Sequence, residues 1–382
     1  MKRFAALLAL VTVVLLLAAP ASAQTTLTLS ADAGKIEFGQ GVSLSGTASG
    51  APGGTTIDIR NGAGASIASA TTDAGGAFSA EIHPQGSDTY VAVLGDASSE
   101  PVTVQVRAVL TARMGQVRLF DHDVVRGTVG PARPGSRVVV ELIKGGTTVQ
   151  RHHATIGAAG GFHERFTIET PGTYRARASF SASDLLEGDA KTGADATPLP
   201  HLSSGSTGVF VKLLEGRLVD LHYRLAGKDG RYDFRTADAV VAFHKVQGMT
   251  RSYSVSEATW RRLAHPRMPH ALHDWHGFHF EVDQTRQLLY TVEDGDITNV
   301  LHVSTGAGGA THDGTFRVFS KLAGFSPHHL YYPSFFDGER ALHGWTEVPP
   351  YAASHGCVRI PYWNAKWVYA LADYGVRVVI YH

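Results

Sequence analysis

The sequence predicts a multidomain, mainly β protein: two tandem β-sandwiches, a three-helix bundle and a mostly-β C-terminal domain. Three observations carry this reading. Short β-type runs separated by turn signals recur through the first half of the chain. The apolar period then changes from two to 3.6, which is the helical period. From His279 onward it returns to strands. A chain of 382 residues exceeds one compact core. With 34 basic and 34 acidic side chains the formal net charge is zero, which argues against a nucleic-acid partner. The 42 glycines favour turn-rich β architecture.

The first 23 residues have the layout of a secretion signal. Lys2 and Arg3 are followed by an apolar run from Phe4 to Ala19, then Pro20 and the small-x-small site Ala21-Ser22-Ala23. Cleavage there leaves Gln24 as the mature N-terminus and exports the rest to a cell wall or periplasm-like space. A membrane contact is expected only if the segment stays uncleaved. Cys357 is the single cysteine, so no disulfide forms within one chain and no cysteine is available for lipidation at the cleavage site. An unpaired cysteine in an exported protein is a candidate reactive thiol.

Residues 24–107 alternate short strands such as Val42 to Leu44, Thr56 to Ile59 and Phe78 to Ile82 with turns such as Ala51-Pro52-Gly53-Gly54. Residues 108–191 repeat the plan. Gly46-Thr47 returns as Gly127-Thr128, Gly75-Gly76-Ala77-Phe78 as Gly160-Gly161-Phe162, and Asp88-Thr89-Tyr90 as Gly172-Thr173-Tyr174, an offset of 81 to 85 residues. The two segments resemble the immunoglobulin-like sandwich repeats of bacterial surfaces. A spacer role is expected of them, with glycan or protein binding as the alternative.

A linker is expected over residues 192–204. In residues 205–263, Val211, Leu214, Leu218 and Leu221 share one helical face, and Ala239, Val240 and Phe243 another. The turn Asp229-Gly230-Arg231-Tyr232 lies between them, and Thr259-Trp260-Arg261-Arg262-Leu263 marks a third helix. Together with Gly205-Ser206-Thr207-Gly208, Leu221-His222-Tyr223, Thr236 to His244 and Gly248-Met249, these residues resemble the peptidoglycan-binding domain fused to many wall enzymes. His244 replaces the usual Gln and His222 the usual corner Gly. Residues 264–276 form a His-rich connector with His265, His270, His273 and His276. Pro266 and Pro269 break any helix that would pair them, so they read as linker histidines rather than a zinc site.

The C-terminal domain, residues 277–382, shows strands at Phe280 to Val282, Gln287 to Val292, Asn299 to Thr305 and Thr315 to Phe319. A helix is predicted from Pro361 to about Tyr374, stopped by Gly375, followed by a closing strand from Val376 to Tyr381. Within it lies Ser354-His355-Gly356-Cys357-Val358-Arg359-Ile360, with Leu342-His343-Gly344 upstream. A cysteine attacks an acyl carbon as thiolate and needs a neighbouring base to take its proton, a task suited to histidine. Gly356 permits close backbone approach, so N–H groups of Gly356 and Cys357 are candidate oxyanion donors.

This string resembles the catalytic signature of the YkuD-type L,D-transpeptidases. The strand Gln287-Leu288-Leu289-Tyr290 and the run Ser304-Thr305-Gly306 to Thr311-His312-Asp313-Gly314-Thr315-Phe316-Arg317-Val318 extend the match, with His312 where the family usually has Pro. The resemblance implies Cys357 as nucleophile and His343 as general base oriented by the Gly344 carbonyl. His355 shapes the nucleophile loop and is the alternative base. Ser354, Arg359, Tyr331 and Tyr332 become candidate substrate-binding residues. The implied reaction is attack on the third residue of a peptidoglycan tetrapeptide stem, loss of the terminal D-alanine, and transfer to another stem as a 3→3 cross-link. Stem peptides and glycan are the implied partners, carbapenem-type compounds the implied inhibitors, and no metal or organic cofactor is needed. Alternatives at the same site are an L,D-carboxypeptidase and a protein-anchoring transpeptidase. A non-catalytic wall-binding protein is the third. A papain-like arrangement is disfavoured because His343 precedes Cys357.

Overall fold

The computed structural model describes residues 25–382. The signal-peptide reading of residues 1–23 and the Gln24 terminus lie outside the described residues. The described chain is mainly β, with four α-helices.

The internal repeat of the sequence becomes two successive copies of one strand order. In the first copy Val42–Ser49 pairs with Ala77–Ile82, while Thr56–Asn61 pairs with Ser66–Thr71 and Asp88–Leu94. In the second copy His122–Gly130 pairs with Gly161–Thr167, while Arg137–Lys144 pairs with Thr147–Thr155 and Thr173–Ala182. Alternate residues point inward, so Val42 and Leu44 are buried, as are Val138, Val140 and Leu142. The copies are not beads on a string. Inward residues of both copies, from Ile36 to Leu185, share one cluster, while Leu27, Ile57, Phe78 and Ala92 form a second within the first copy. A parallel bridge between Arg107 and Leu186 joins their sheets. Arg133 of the second copy donates from Nη2 across the junction to the Gln85 carbonyl at 3.0 Å, and to the Asp184 carboxylate of its own copy at 2.7 Å.

The segment expected to be a linker is anchored at both ends. Asp195–Ala196 pairs with Thr173 and Tyr174 of the second copy. Leu202 exchanges backbone bonds with Val255, and the Trp260 indole donates to the Pro200 carbonyl at 2.8 Å. Its Gly, Ala and Thr content signalled flexibility, but the backbone groups are satisfied by the elements on either side.

The helices α1 (Val209–Asp220), α2 (Phe234–Gln247) and α3 (Glu257–Ala264) bury the faces that the periodicity marks. Asp233 caps α2 through the N–H groups of Arg235 and Thr236, and Gly248 ends it in the left-handed region at φ 66°. Ser256 and Thr259 form a reciprocal cap on α3. Phe243 and Trp260 are almost wholly buried. Burial of a Phe side chain stabilises by about 1.5–3 kcal/mol. The corner residue His222 takes φ 64°, the conformation for which glycine is the usual occupant. That corner docks on the next domain: Val300 N–H donates to the His222 carbonyl at 2.8 Å and Arg224 N–H to the Val300 carbonyl at 3.0 Å.

The His-rich connector is tied down at its C-terminal end, while His265, His270 and His276 stay exposed. Leu272 and His273 donate backbone N–H groups to the buried Glu281 carboxylate at 2.7 and 2.9 Å, and the His273 ring stacks on Trp275 at 3.9 Å.

The C-terminal domain has a five-stranded sheet, in which Phe278–Asp283 lies between Leu288–Glu293 and the parallel Arg377–Tyr381. A second sheet contains Tyr331–Asp337, Arg340–Trp345 and Val358–Pro361. Helix α4 (Tyr362–Leu371) follows directly and stops three residues short of the predicted Tyr374. The sheet's fourth strand is the short Ser320–Lys321, and none of the three longer strands was anticipated. Pro333 and Gly344 interrupt their β-type patterns. The parallel pair of Arg340–Trp345 with Val358–Pro361 is the feature that builds the site.

Candidate active site

In that parallel ladder Leu342 lies opposite Val358 and His343 opposite Arg359. Cys357, one residue before the strand begins, is thereby brought beside the histidine fourteen positions upstream. Cys357, His343, Ser354, His355, Gly356 and Arg359 all line one cavity of about 450 Å³. A larger cavity of about 610 Å³ lies at the sandwich junction among His83, Asp88, Arg133 and Asp184. It contains no nucleophile–base pair, so the chemistry belongs to the smaller one.

His343 is buried, and its Nδ1 lies 3.0 Å from the Gly344 carbonyl. A carbonyl only accepts, so Nδ1 carries the proton and Nε2 keeps its lone pair. Burial lowers the His343 pKa to about 4, with the Gly344 bond opposing and Arg359 reinforcing the shift. Burial also pushes the Cys357 thiol up, against the bond to Ala341 and the charges of Arg340 and Arg359. The resting pair near neutral pH is therefore a thiol and a neutral imidazole. The thiol itself donates to the Glu339 carbonyl at 3.7 Å.

The turn before the thiol is held from within. The Ser354 hydroxyl donates to the Cys357 carbonyl at 2.5 Å and accepts the Gly356 N–H at 3.1 Å. Gly356 has φ 141°, and a Cβ there would lie 3.0 Å from the Ala310 carbonyl oxygen and 3.1 Å from Arg340 Nε. The Thr311 hydroxyl donates to the Gly356 carbonyl at 2.8 Å.

Residues 277–380 match the family model of the YkuD L,D-transpeptidase catalytic domain. The C-terminal domain is thus a YkuD-type L,D-transpeptidase catalytic domain. Among solved structures, the chain resembles the L,D-transpeptidase (residues 123–326) of Xylanimonas cellulosilytica DSM 15894. The two share 32% identity over 48% of this chain and 99% of that one, with a TM-score of 0.46. The L,D-transpeptidase (Yku) of Stackebrandtia nassauensis shares 29% identity over 49% of this chain and 98% of that one, with a TM-score of 0.31. No curated protein matches the chain.

The YkuD domain departs from the sequence expectations at three points. The Gly356 N–H is already bonded to Ser354, so it is not free for an oxyanion, and of the two expected donors only the Cys357 N–H is left for that task. His355 is exposed at the cavity mouth and makes no bond to the thiol, whose partner is Glu339. Tyr331 and Tyr332 do not line the cavity. They pack edge-to-face on each other at 4.7 Å, on Tyr362 at 5.0 Å and on Tyr369 at 5.1 Å, covering α4. Arg359 does face the cavity, with its guanidinium 5.3 Å from the centre of the Trp345 ring. Its backbone rather than its side chain holds the loop, through two bonds with Ser304 at 2.8 and 3.0 Å.

Sequence reasoning missed Arg340, which lines the cavity. Its Nε donates to the Ala310 carbonyl at 2.7 Å and its Nη2 to His312 Nε2 at 2.9 Å, while Asp337 bonds both residues. The unusual His312 in the matching run was the available signal for this cluster.

Proposed function

We propose that the YkuD domain is a cell-wall L,D-transpeptidase that forms 3→3 peptidoglycan cross-links through a Cys357 acyl-enzyme. The observation that carries the reading is the neutral His343 imidazole, held by Gly344 in the tautomer that leaves Nε2 basic, in one cavity with the Cys357 thiol. As Sγ attacks the carbonyl carbon of the third, L-centred stem residue, the thiol proton passes to His343 Nε2. The Cys357 N–H meets the developing oxyanion. Collapse breaks the C–N bond, the proton on His343 goes to the leaving D-alanine amine, and a thioester remains. An amine of a second stem then attacks the thioester, giving its proton to His343, and the C–S bond breaks to restore the thiol. Arg359 and Arg340 offer positive charge to a stem carboxylate. Carbapenems acylate the same sulfur.

The helical bundle is proposed to bind peptidoglycan, and the two sandwiches are proposed as immunoglobulin-like spacers. Export through residues 1–23 completes the reading. The test is mass spectrometry of digested sacculi after incubation with the protein. Dimers with 3→3 linkage are expected with the wild type and none with Cys357→Ala. Trimmed tripeptides in place of dimers would make the protein an L,D-carboxypeptidase, and no change with either protein would overturn the proposal.

A further inference from the structure

The bundle reaches further into the catalytic domain than a binding module needs to. Lys245, on α2, is 3% exposed, and its Nζ lies among atoms of the other domain: the Gln287 carbonyl at 2.8 Å, the Val303 carbonyl at 3.2 Å and His302 Nδ1 at 2.6 Å. The Nε2 of His302 lies 2.7 Å from the Val348 carbonyl, which fixes the proton on Nε2 and leaves Nδ1 as an acceptor. Burial draws the Lys245 pKa down, yet an ammonium has three N–H groups and here meets three acceptors. Of the three, the Gln287 carbonyl also accepts the Val303 N–H at 3.2 Å, while the Val303 carbonyl and His302 Nδ1 rely on Lys245.

Two chains of bonds lead from this lysine to the nucleophile turn. The first runs through His302 to Val348, inside segment 346–353 that connects the histidine strand to Ser354. The second runs through Gln287, whose side-chain amide bonds the backbone N–H and the hydroxyl of Thr305 at 2.8 and 2.7 Å. The Thr305 carbonyl in turn accepts the N–H groups of Ala353 and Ser354 at 2.9 and 3.0 Å. Gln287 holds φ 61° to do this, a backbone strain of the kind kept where a site needs it. After α2, the bundle grips the same segment again. Arg251 donates to the Pro350 carbonyl at 2.6 Å and to the Thr285 carbonyl at 2.8 Å, and the Tyr253 hydroxyl donates to the Val348 carbonyl at 3.3 Å.

We propose that the helical bundle is a working part of the active site, with Lys245 and Arg251 as positioning residues that set segment 346–353 and the Ser354–Cys357 turn. This rests on Cys357 being the nucleophile, but its test needs no peptidoglycan. The full-length protein is compared with Arg251→Ala and Lys245→Met, and with Arg133→Ala at the sandwich junction as a control. Two quantities are measured: the rate of Cys357 alkylation by iodoacetamide as a function of pH, and amide hydrogen exchange across 346–353. In Arg251→Ala the alkylation rate is expected to change roughly tenfold, because misplacement of about an ångström has effects of that order or larger. The pH profile is expected to move, and exchange in 346–353 to quicken, while the control matches the wild type. Arg251 is only half-buried, so this variant carries the test even if Lys245→Met fails to fold. A pH–rate profile within twofold of wild type, with unchanged exchange in 346–353, would overturn the proposal, even if the melting temperature fell. If sacculi stay unmodified by the wild type, the transpeptidase reading fails while this comparison still stands.

Discussion

Two of the junctions between successive domains, the one between the sandwich copies and the one between the bundle and the YkuD domain, are built differently. The sandwich copies meet through a continuous apolar cluster, with the Arg133–Asp184 pair at its rim, 29% and 42% exposed. The bundle and the YkuD domain also share apolar contacts, since Leu288, Tyr290, Val292 and Val300 pack in the bundle's core. To these are added Lys245, His302 and Gln287, each no more than 3% exposed, and a bond of 2.8 Å from the Trp363 indole to Asp238. Burial raises the Asp238 pKa to about 6. Apolar contact rewards area and tolerates small shifts. Buried polar groups are stable in one docking only, because a slip leaves donors and acceptors unpaired. The junction beside the nucleophile is the one that carries them.

The sharpest way to break this contrast is Lys245→Ala. Removing the Lys245 amine leaves the Val303 carbonyl and His302 Nδ1 without that donor, while the Gln287 carbonyl keeps the Val303 N–H at 3.2 Å, and a loss of about 2–5 kcal/mol is expected from urea unfolding of the transition that includes the YkuD domain. A loss below 1 kcal/mol would put the two junctions on the same footing. The next effect concerns His343. Its pKa falls from 6.5 in the unfolded chain to about 4 in the folded one, so the unfolded state binds more protons between those values. Stability conferred by the neutral ring is present above pH 6.5 and is lost as pH falls towards 4. Relative to His343→Gln, the wild type is expected to lose about 3 kcal/mol across that window, measured as the difference between two stability-versus-pH curves. Parallel curves would place the imidazole in water. The smallest effect is Arg133→Ala, expected to cost under about 1 kcal/mol because the pair is partly exposed. A larger loss would make the sandwich junction polar in its energetics as well.

Much of the site was legible in the sequence because its chemistry is local. Ser354, Gly356 and Cys357 act within one tight turn, and His343 is oriented by its own neighbour, so residue type and spacing carry the information. The bundle was legible for a related reason: Val211, Leu214, Leu218 and Leu221 repeat with the helical period, and all are buried. What escaped was long-range pairing. The strand holding His343 is broken in pattern by Gly344, which is needed because a Cβ there would meet Ala365 Cβ at 2.7 Å. Arg340 looked like any surface arginine, since its partners Ala310 and His312 lie some thirty positions away. Lys245 bonds residues 42 to 58 positions onward, and no local pattern announces such a contact. Tyr331 and Tyr332 show the converse, since an aromatic pair near a site in sequence is equally suited to covering a helix.

The protonated state of Cys357 has a meaning beyond the reaction. Oxidants, metals and other cysteines react with thiolate far faster than with thiol. A sulfur whose pKa is pushed up by burial spends its idle time in the less reactive form, and in the proposed mechanism it is ionised only when an acyl carbon arrives to take the electrons and His343 the proton. The same desolvation that slows the bare thiol thus acts as its preservative, and it lets a protein with a single cysteine keep that cysteine usable without a reducing partner.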